Sequence, residues 1–487
     1  MQIKIVKKCH CTLHEGLFNL LFKIIGEMLK LRIITNSDGK KMKIFSLRQI
    51  SEVLNCPYPK NDKIIQGFSV DTRHLQPNQI FAALKGERVD GHSYLAEAKK
   101  KGASAALVKI NYEGADHGME LLRVPDPLSA LQELAKASLA RTSSRIVAVT
   151  GSVGKTTTKE FIKTLLSLRY AVAASVGNLN SQAGLPLTLL NNTEGNEEIL
   201  ILEMGMSEPG ELTRLVQMAP PEVSVLTTAA LVHACNFNSI EEIALTKGEI
   251  FLHPKTQLGL LHRDISNYSE VASMGSCPKL SFSSFSNEAD YQLDYQAKKI
   301  YSSLEKKNFD IKGFAIPGKH NLQNFLAAAA VGRYFKLSWE EMIEAVPRLL
   351  LPQKRLQLAE KNGITFLNDS YNASEISVKA ALECLPLPKG KGCKVAVLGS
   401  MMELGKFSES CHASVGDFAL NHVEKMFCLG EECQPIYDRW KEAGKTAELF
   451  TDRGALVACL RKALKPSDVV LLKGSLSKQL WKVLEEL

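Results

Sequence analysis

Residues 145–160 read RIVAVTGSVGKTTTKE and combine a strand, a Gly-rich turn and a helix start in one segment. The first six residues are an apolar, β-branched run, which predicts a buried strand, and a helical pattern opens at Lys155. The turn has the short form TGxxGKTT, since Val149 stands where a full Walker A loop would carry its first Gly. Backbone N–H groups of such a turn, with the positive end of the helix, bind anions. The segment therefore predicts a site for a nucleoside triphosphate.

Each polar group in a loop of this kind has a defined partner. The lysine reaches the outer phosphates, and the hydroxyl that follows it can ligate Mg²⁺. The alternative is an ordinary Gly-rich turn with a chance Lys-Thr pair, which the order of strand, loop and helix disfavours. The cofactor-binding residues expected here are Gly151, Ser152, Gly154, Lys155, Thr156 and Thr157.

Composition limits the class of protein. A chain of 487 residues with 45% hydrophobic and 23% charged residues is typical of a globular protein of about three domains. The net charge of +8 is scattered rather than gathered in a basic block, so we expect anionic small substrates and no nucleic acid. Eleven cysteines without a CxxC pair indicate free thiols and a cytoplasmic location. No segment reaches the roughly 18 uncharged apolar residues that a membrane span needs.

Alternating strand and helix patterns predict an α/β fold of three domains. We expect a small α/β domain over residues 42–140, a central P-loop domain with a parallel sheet over 141–351, and a Rossmann-like domain over 352–487. Residues 1–41 are expected to be an extension outside the folded body. In that extension Leu17–Ile34 is basic and amphipathic, which fits either a surface-lying helix or a flexible segment.

Three polar residues interrupt otherwise apolar patterns in the central region. Glu203 ends the run ILILE, where a carboxylate is costly unless it ligates a cation or faces solvent. His233 follows the strand-like EVSVLTT, where a capping or core role and a metal role are both open. Lys247 lies on a helical stripe with Ile240 and Ile250, and the pattern alone predicts an exposed lysine with a buried stem.

Amide and hydroxyl groups cluster in two further segments. Asn321 and Asn324 lie three residues apart in GKHNLQN, a spacing suited to reading a purine edge or to capping the helix. NDSYNAS (368–374) follows the strand-like ITFL. Its Asp369 and Tyr371 suit contacts with ribose and base, although the same residue types form ordinary turns.

Together these segments resemble the ATP-dependent Mur ligases of peptidoglycan synthesis. The resemblance also covers SVDTRHLQPNQIFAALKGERVDGHSYL (69–95), which is similar to the nucleotide-sugar domain of family members that act on a UDP-linked muramoyl-tripeptide. The other matching segments are TGSVGKTTTKE (150–160), GNLNSQAGLPLTLL (177–190), LEMGMSEPGEL (202–212), ALTKGEIF (244–251), GKHNLQNFLAAAAVG (318–332), NDSYNAS and LKGS (472–475).

The resemblance implies a role for each matching position. Lys155, His233 and Lys247 would be catalytic, and Lys247 would be carbamylated, which turns a cationic amine into an anionic group able to bind Mg²⁺. The implied ligands of Mg²⁺, of which two ions are expected, are Thr156, Glu203, His233 and Lys247. The implied ATP contacts beyond the loop are Asn321, Asn324, Arg355, Asp369 and Tyr371. The implied substrate contacts are Asp71, Thr72, Arg73 and Lys85 for the uridine nucleotide, and Asn178, Asn180 and Ser181 for the sugar-peptide.

The implied reaction joins UDP-N-acetylmuramoyl-tripeptide to D-alanyl-D-alanine with ATP, and a monomer is expected. Two alternatives remain open. One is another amide ligase of the superfamily, such as a diamino-acid-adding ligase or a folylpolyglutamate synthase. The other is a P-loop switch protein that hydrolyses nucleotide slowly.

Overall fold

A computed structural model describes residues 45–86 and 89–487 of the chain. Its three main sheets have four, nine and six strands, and they follow one another along the sequence. This confirms the predicted α/β class with three successive parallel-sheet units. The expectations for residues 1–41 lie outside the described residues, and the domain boundaries given above stay predictions.

The first unit is a four-stranded parallel sheet in the order β3-β4-β5-β6, preceded by the antiparallel pair β1-β2. Its strands are β1 (Phe45–Ser46), β2 (Ile64–Ile65), β3 (Gly67–Ser69), β4 (Gln79–Ala82), β5 (Ala105–Lys109) and β6 (Glu120–Val124). Its helices are α1 (Leu47–Leu54), α2 (Leu95–Lys100) and α3 (Pro127–Leu139).

An amide side chain attaches this sheet to the second unit. Asn191 accepts a hydrogen bond from the Phe68 N–H at 2.9 Å and donates one to the Phe68 carbonyl at 2.8 Å. The pair of bonds imitates a neighbouring strand, so the outer edge of β3 is satisfied without another strand.

The second unit is a nine-stranded sheet in the order β15-β14-β13-β12-β11-β10-β7-β9-β8. The strands from β13 to β8 in that order are parallel, and β13–β15 form an antiparallel meander at one edge. Its strands are β7 (Arg145–Thr150), β8 (Val172–Ala174), β9 (Ile199–Glu203), β10 (Val223–Leu226), β11 (Leu258–His262), β12 (Lys279–Ser283), β13 (Tyr291–Asp294), β14 (Lys299–Ser302) and β15 (Lys307–Asp310).

Helices cover both faces of this sheet, so its strands read as continuous apolar runs. They are α4 (Lys155–Leu166), α5 (Gly184–Asn191), α6 (Glu211–Met218), α7 (Ile240–Gly248), α8 (Tyr268–Ser273), α9 (Lys319–Tyr334) and α10 (Trp339–Glu344). Helix α9 packs along α4, and Phe161, Leu165, Phe325 and Ala328 of the two helices belong to the same buried core cluster. The amide-rich start of α9 thereby lies beside the Gly-rich loop that precedes α4.

The third unit is a six-stranded sheet in the order β16-β17-β21-β18-β19-β20, parallel except for β16. Its strands are β16 (Gln357–Lys361), β17 (Ile364–Asn368), β18 (Lys394–Gly399), β19 (Lys425–Leu429), β20 (Thr446–Phe450) and β21 (Val469–Lys473). Its helices are α11 (Glu375–Glu383), α12 (Ser408–Ala419), α13 (Gln434–Glu442), α14 (Arg453–Ala463) and α15 (Trp481–Glu486).

Two further predictions concern the chain as a whole. The cysteines at the described positions are all free thiols, as the spacing predicted. Within residues 45–86 and 89–487, no helix is both long and apolar enough to cross a bilayer.

Candidate active site

A cavity of about 760 Å³ lies where the carboxyl ends of the second sheet face the third. Polar groups in parallel sheets converge at such strand ends, which is where ligands bind. Most of the predicted site residues border it: Ser152, Gly154, Lys155, Thr156, Thr157, Asn178, Asn180, Glu203, His233, Asn321, Asn324, Arg355, Asp369 and Tyr371. The structure thus gathers residues from positions 152 to 371 of the sequence in one cavity.

The Gly-rich loop between β7 and α4 is shaped by close contacts. Gly151 has φ +146°, and a Cβ there would lie 2.0 Å from Thr227 Oγ1. The Thr227 hydroxyl donates to the Val153 carbonyl at 2.6 Å, and the Ser152 hydroxyl donates to the Ala230 carbonyl at 2.8 Å. Thr227 and Ala230, which follow β10, therefore hold the loop in its conformation through these hydrogen bonds. The loop residues Ser152 and Gly154 still border the cavity.

Substitution of Gly154 by alanine is expected to weaken nucleotide binding by about tenfold or more. Gly154 has φ +88°, and a Cβ would lie 2.5 Å from Asn324 Oδ1. A residue other than Gly in such a backbone conformation costs about 1–3 kcal/mol, and Asn324 would have to move as well. Titration with a fluorescent ATP analogue measures the change. Gly313→Ala is the matched control, because a Cβ at Gly313 meets no atom within 4 Å; unchanged affinity in Gly154→Ala would contradict this account.

The Lys155 ammonium is held inside the loop. It donates to the Gly151 carbonyl at 2.7 Å and to the Ser152 carbonyl at 3.4 Å. Burial lowers the pKa of Lys155, and nearby Glu203 opposes that shift while Arg355 adds to it. A polyanion in the cavity would favour the charged form of this lysine.

Glu203 ends β9 as the sequence predicted and is buried, with 2% of its surface exposed. Its Oε1 accepts a hydrogen bond from Asn180 Nδ2 at 2.7 Å. Its Oε2 is buried and has no partner in the part of the chain that the structure describes. A buried carboxylate oxygen without a partner is costly, so this atom fits a cation ligand.

Lys247 lies on α7 and is buried, with 2% of its surface exposed. The prediction of an exposed lysine from the helical pattern was wrong, because the stripe shared with Ile243 and Ile250 faces the core and takes Lys247 with it. Burial lowers the pKa of Lys247 well below its usual range, and the charge of Lys155 lowers it further. Both effects favour the neutral amine, which is the form that can react with CO₂.

His233 contacts a residue of the third unit. Its Nδ1 makes a hydrogen bond with Glu403 Oε2. Burial lowers the pKa of His233, and the Glu403 carboxylate opposes that shift. A neutral imidazole is a good metal ligand, so the position fits the predicted role without testing it.

The amides of α9 are largely engaged with the protein. Asn321 Nδ2 donates to the Pro317 carbonyl at 2.7 Å, and Asn324 Oδ1 accepts from the Thr158 hydroxyl at 3.3 Å. Asn324 Nδ2 faces Asn321 Oδ1 at 3.4 Å. Both side chains thus fix the start of α9 against α4, the helix that follows the Gly-rich loop. Their contact with adenine stays a prediction.

The third unit contributes cationic and aromatic groups. Arg355 Nη2 donates to the Thr156 hydroxyl at 3.2 Å, and its guanidinium lies 4.6 Å from the centroid of the Tyr371 ring. Arg355 Nε is buried without a partner among the described residues, which suits an anionic ligand. Asp369 Oδ2 pairs with Lys473 Nζ at 2.5 Å, with Lys473 buried and Asp369 half-buried.

The remaining predicted residues, the buried Lys247 among them, do not border the cavity. Gly151 lies behind it and accepts from Lys155, and Ser181 accepts from the Gly184 N–H at 3.2 Å at the start of α5. In the first unit Arg73 Nη2 pairs with Asp71 Oδ2 at 2.7 Å, and the backbone of Lys85 forms an isolated antiparallel β-bridge with that of Asp90. Thr72 is buried. The proposed uridine contacts therefore lie outside this cavity, and nothing in the structure tests them.

The sequence analysis assigned no role to three charged or titratable residues of the cavity, His320, Glu403 and Lys473. Burial lowers the pKa of His320 to about 4. Lys473 carried the same signal as Glu203, a charge at the end of an apolar strand, VVLLK. Glu403 lies in an irregular loop, within the segment SMMELG (400–405), which resembles the family pattern SxxELG but implied no role for this residue.

Comparison with known proteins gives the family. Three family models match consecutive parts of the chain: the Mur ligase family catalytic domain over 64–138, the Mur ligase middle domain over 149–332, and the Mur ligase glutamate ligase domain over 354–476. The chain is 34% identical to the UDP-N-acetylmuramoyl-tripeptide–D-alanyl-D-alanine ligase of Bacillus subtilis (strain 168) over 87% of its own length and 93% of that protein. The chain belongs to the Mur ligase family. It is also 32% identical to the ligase of the same name from Escherichia coli (strain K12), over 91% of this chain and 98% of that one.

Solved structures agree with this Mur ligase assignment. The fold matches the crystal structure of MurF from Acinetobacter baumannii with a TM-score of 0.78 at 23% identity, over 91% of this chain and 99% of that one. MurF ligase from Thermotoga maritima in complex with ADP matches with a TM-score of 0.68 at 28% identity, over 86% and 96%.

Proposed function

We propose that this Mur ligase joins D-alanyl-D-alanine to UDP-N-acetylmuramoyl-tripeptide, using ATP and releasing ADP and phosphate. The free carboxylate of the tripeptide attacks the γ-phosphoryl group and gives an acyl phosphate. The amine of the dipeptide then attacks the acyl carbon, and phosphate leaves. The curated relatives that cover nearly the whole chain carry the name of this ligase.

One structural observation carries the proposal: the Gly-rich loop, a buried carboxylate and cationic groups of the third unit border a single cavity. Little covalent work falls to the protein in phosphoryl transfer, so positioning and charge neutralisation dominate. In this proposal Lys155 of the Gly-rich loop and Arg355 of the third unit, which both border the cavity, neutralise phosphate oxygens. Because the reactive acyl phosphate would lie between two units, their approach would exclude water.

The cavity suits Mg²⁺ because the buried Oε2 of Glu203 has no hydrogen-bond partner among the described residues. We propose that Thr156, Glu203, His233 and a carbamylated Lys247 hold it, and that bound Mg²⁺ supplies charge stabilisation to the phosphates. Among the described residues no group of three or more His, Cys, Asp or Glu side chains forms a metal cluster. A carbamylated lysine would provide a second anionic ligand beside the Glu203 carboxylate.

Asn178 and Asn180 at the cavity edge are proposed to line the path of the sugar-peptide, with Ser181 behind them. The uridine contacts at Asp71, Thr72, Arg73 and Lys85, like the monomeric state, stay predictions. In this proposal the nucleotide end of the long precursor lies on the first unit, and its sugar-peptide end lies on the second.

The product identifies the reaction. We expect the protein, incubated with ATP, Mg²⁺, UDP-muramoyl-tripeptide and D-alanyl-D-alanine, to give a precursor heavier by the dipeptide less one water, measured by mass spectrometry. ADP should form in equal amount. Product formed only with a free diamino acid would assign the chain to a sibling ligase, and ADP release that no amine stimulates would indicate a nucleotide switch.

A further inference from the structure

Two loops from different units meet at the mouth of the cavity. The loop 401–405 follows β18 of the third unit, and the loop 233–236 follows β10 of the second. Glu403 Oε2 makes a hydrogen bond with His233 Nδ1, and the Glu403 carbonyl accepts from the Cys235 N–H at 3.0 Å. Glu403 and His233 both border the cavity. One residue of the third unit therefore contacts the second through its side chain and its backbone.

Both loops have backbone conformations suited to this contact. His233 has φ +56° and Glu403 has φ +62°, a region that residues with a side chain rarely adopt. A Cβ at Gly405 would lie 2.9 Å from the Cys235 Cα, so the loops approach as closely as a glycine allows. Unfavourable conformations persist where the surroundings fix them, and here each loop surrounds the other.

A buried histidine fixes the third-unit loop to its own sheet. His412 is fully buried, its Nε2 accepts from the Met401 N–H at 3.0 Å, and its Nδ1 donates to the Ser408 carbonyl at 2.7 Å. Ser400 donates to Glu432 at 2.6 Å on the other side. The Glu403 side chain therefore extends from a rigid base.

We propose that Glu403 is a positioning residue that orients His233 across the boundary between the two units. By holding Nδ1, the carboxylate leaves Nε2 as the ring nitrogen available to a cation. Carboxylates that hold the second nitrogen of a metal-bound histidine are a recurrent feature of metal sites. This inference rests on the proposed function, in which His233 is a cation ligand. Its consequence is that the cation site is complete only when the third unit lies against the second.

A purely structural role for this pair is a poor explanation of the contact. The side chains of His233 and Glu403 are 35% and 57% exposed, and ion pairs so exposed contribute little to folding stability. Glu403→Ala should therefore fold normally, with an unchanged melting temperature, and should affect only the cation site and the approach of the third unit to the second.

Binding of Mn²⁺, followed by electron paramagnetic resonance in the presence of a non-hydrolysable ATP analogue, tests the role of Glu403. We expect Glu403→Ala to weaken Mn²⁺ binding by about 10–100-fold, the usual effect of losing such a partner. Glu403→Gln keeps an oxygen acceptor and should restore most of the affinity. Glu409→Ala removes an exposed carboxylate of the same unit and is the matched control. Small-angle scattering should show a larger radius of gyration for Glu403→Ala with the analogue and Mn²⁺ than for the native chain.

A His233→Ala variant separates the two ways in which the inference can fail. If His233→Ala weakens Mn²⁺ binding and Glu403→Ala does not, the inference on Glu403 is overturned and the cation role of His233 stands. If neither variant weakens binding, His233 is no ligand, and both the inference and that part of the proposed function are overturned.

Discussion

Replacing Lys155 with methionine is expected to lower the rate of ATP-dependent ligation by about 10²–10³-fold, the effect of removing one preorganised donor from a developing negative charge. Methionine keeps much of the length and the apolar stem of the side chain, so the buried space stays filled. The lost group is the ammonium, which the loop carbonyls of Gly151 and Ser152 now hold. Single-turnover release of phosphate measures the chemical step, and binding of an ATP analogue measures affinity separately.

The control for this variant is Lys163→Met, an exposed lysine on the same helix α4. It changes the net charge equally without touching the loop. A Lys155→Met protein that ligates at a rate close to that of Lys163→Met would show that the loop does not act on the phosphates. A large loss of folding stability in Lys155→Met alone would also weaken the interpretation, since burial already disfavours the charged amine at this position.

The sequence predicted the central architecture well because buried parallel strands leave a strong pattern. The central residues of these strands, IVAV in β7 and ILIL in β9, are all apolar, because helices cover both faces of the sheet. The patterns did not predict β8 or the strands from β12 to β15. Of these, β13, β14 and β15 form an edge meander. Strand β15, KNFD, is polar and mostly exposed, so its pairing depends on its neighbours rather than on its own residues.

The same distinction holds for the candidate site: residues marked by a strong local pattern were predicted, and a contact between distant loops was not. Glu203 was found because a charge after a buried strand is conspicuous, and its burial agrees with that reasoning. Lys247 was read from the residues as a surface lysine because a pattern of spacing does not tell which helix stripe faces the core. The contact between Glu403 and His233 joins positions 170 residues apart in irregular loops. Local rules carry no information on such a pair, which only the packing of the third unit against the second brings together.

Replacing Lys247 with alanine is expected to lower activity by at least about 10²-fold, because it would remove an anionic cation ligand from a buried site. Lys247→Glu supplies a carboxylate at the same place and should recover part of the Mn²⁺ affinity. In the native chain the affinity for Mn²⁺ should fall in CO₂-depleted buffer and return when bicarbonate is added. The Mn²⁺ affinity of Lys247→Glu should be the same under both conditions. The exposed Lys255, changed to alanine, is the control. Normal Mn²⁺ binding by Lys247→Ala would contradict carbamylation.

The pH dependence of folding gives an independent measure of the unmodified lysine. An unfolded lysine takes up its proton below a pKa of about 10.4. The folded Lys247, whose pKa burial lowers well below that range, stays neutral until a much lower pH. Between those two values the unfolded chain binds the extra proton, so the free energy of unfolding of CO₂-depleted protein should decrease as the pH falls. Lys247→Met, studied by urea denaturation, should show a shallower decrease, with the remaining slope set by groups such as Lys155; an unchanged slope would mean that Lys247 is not the neutral amine on which carbamylation depends.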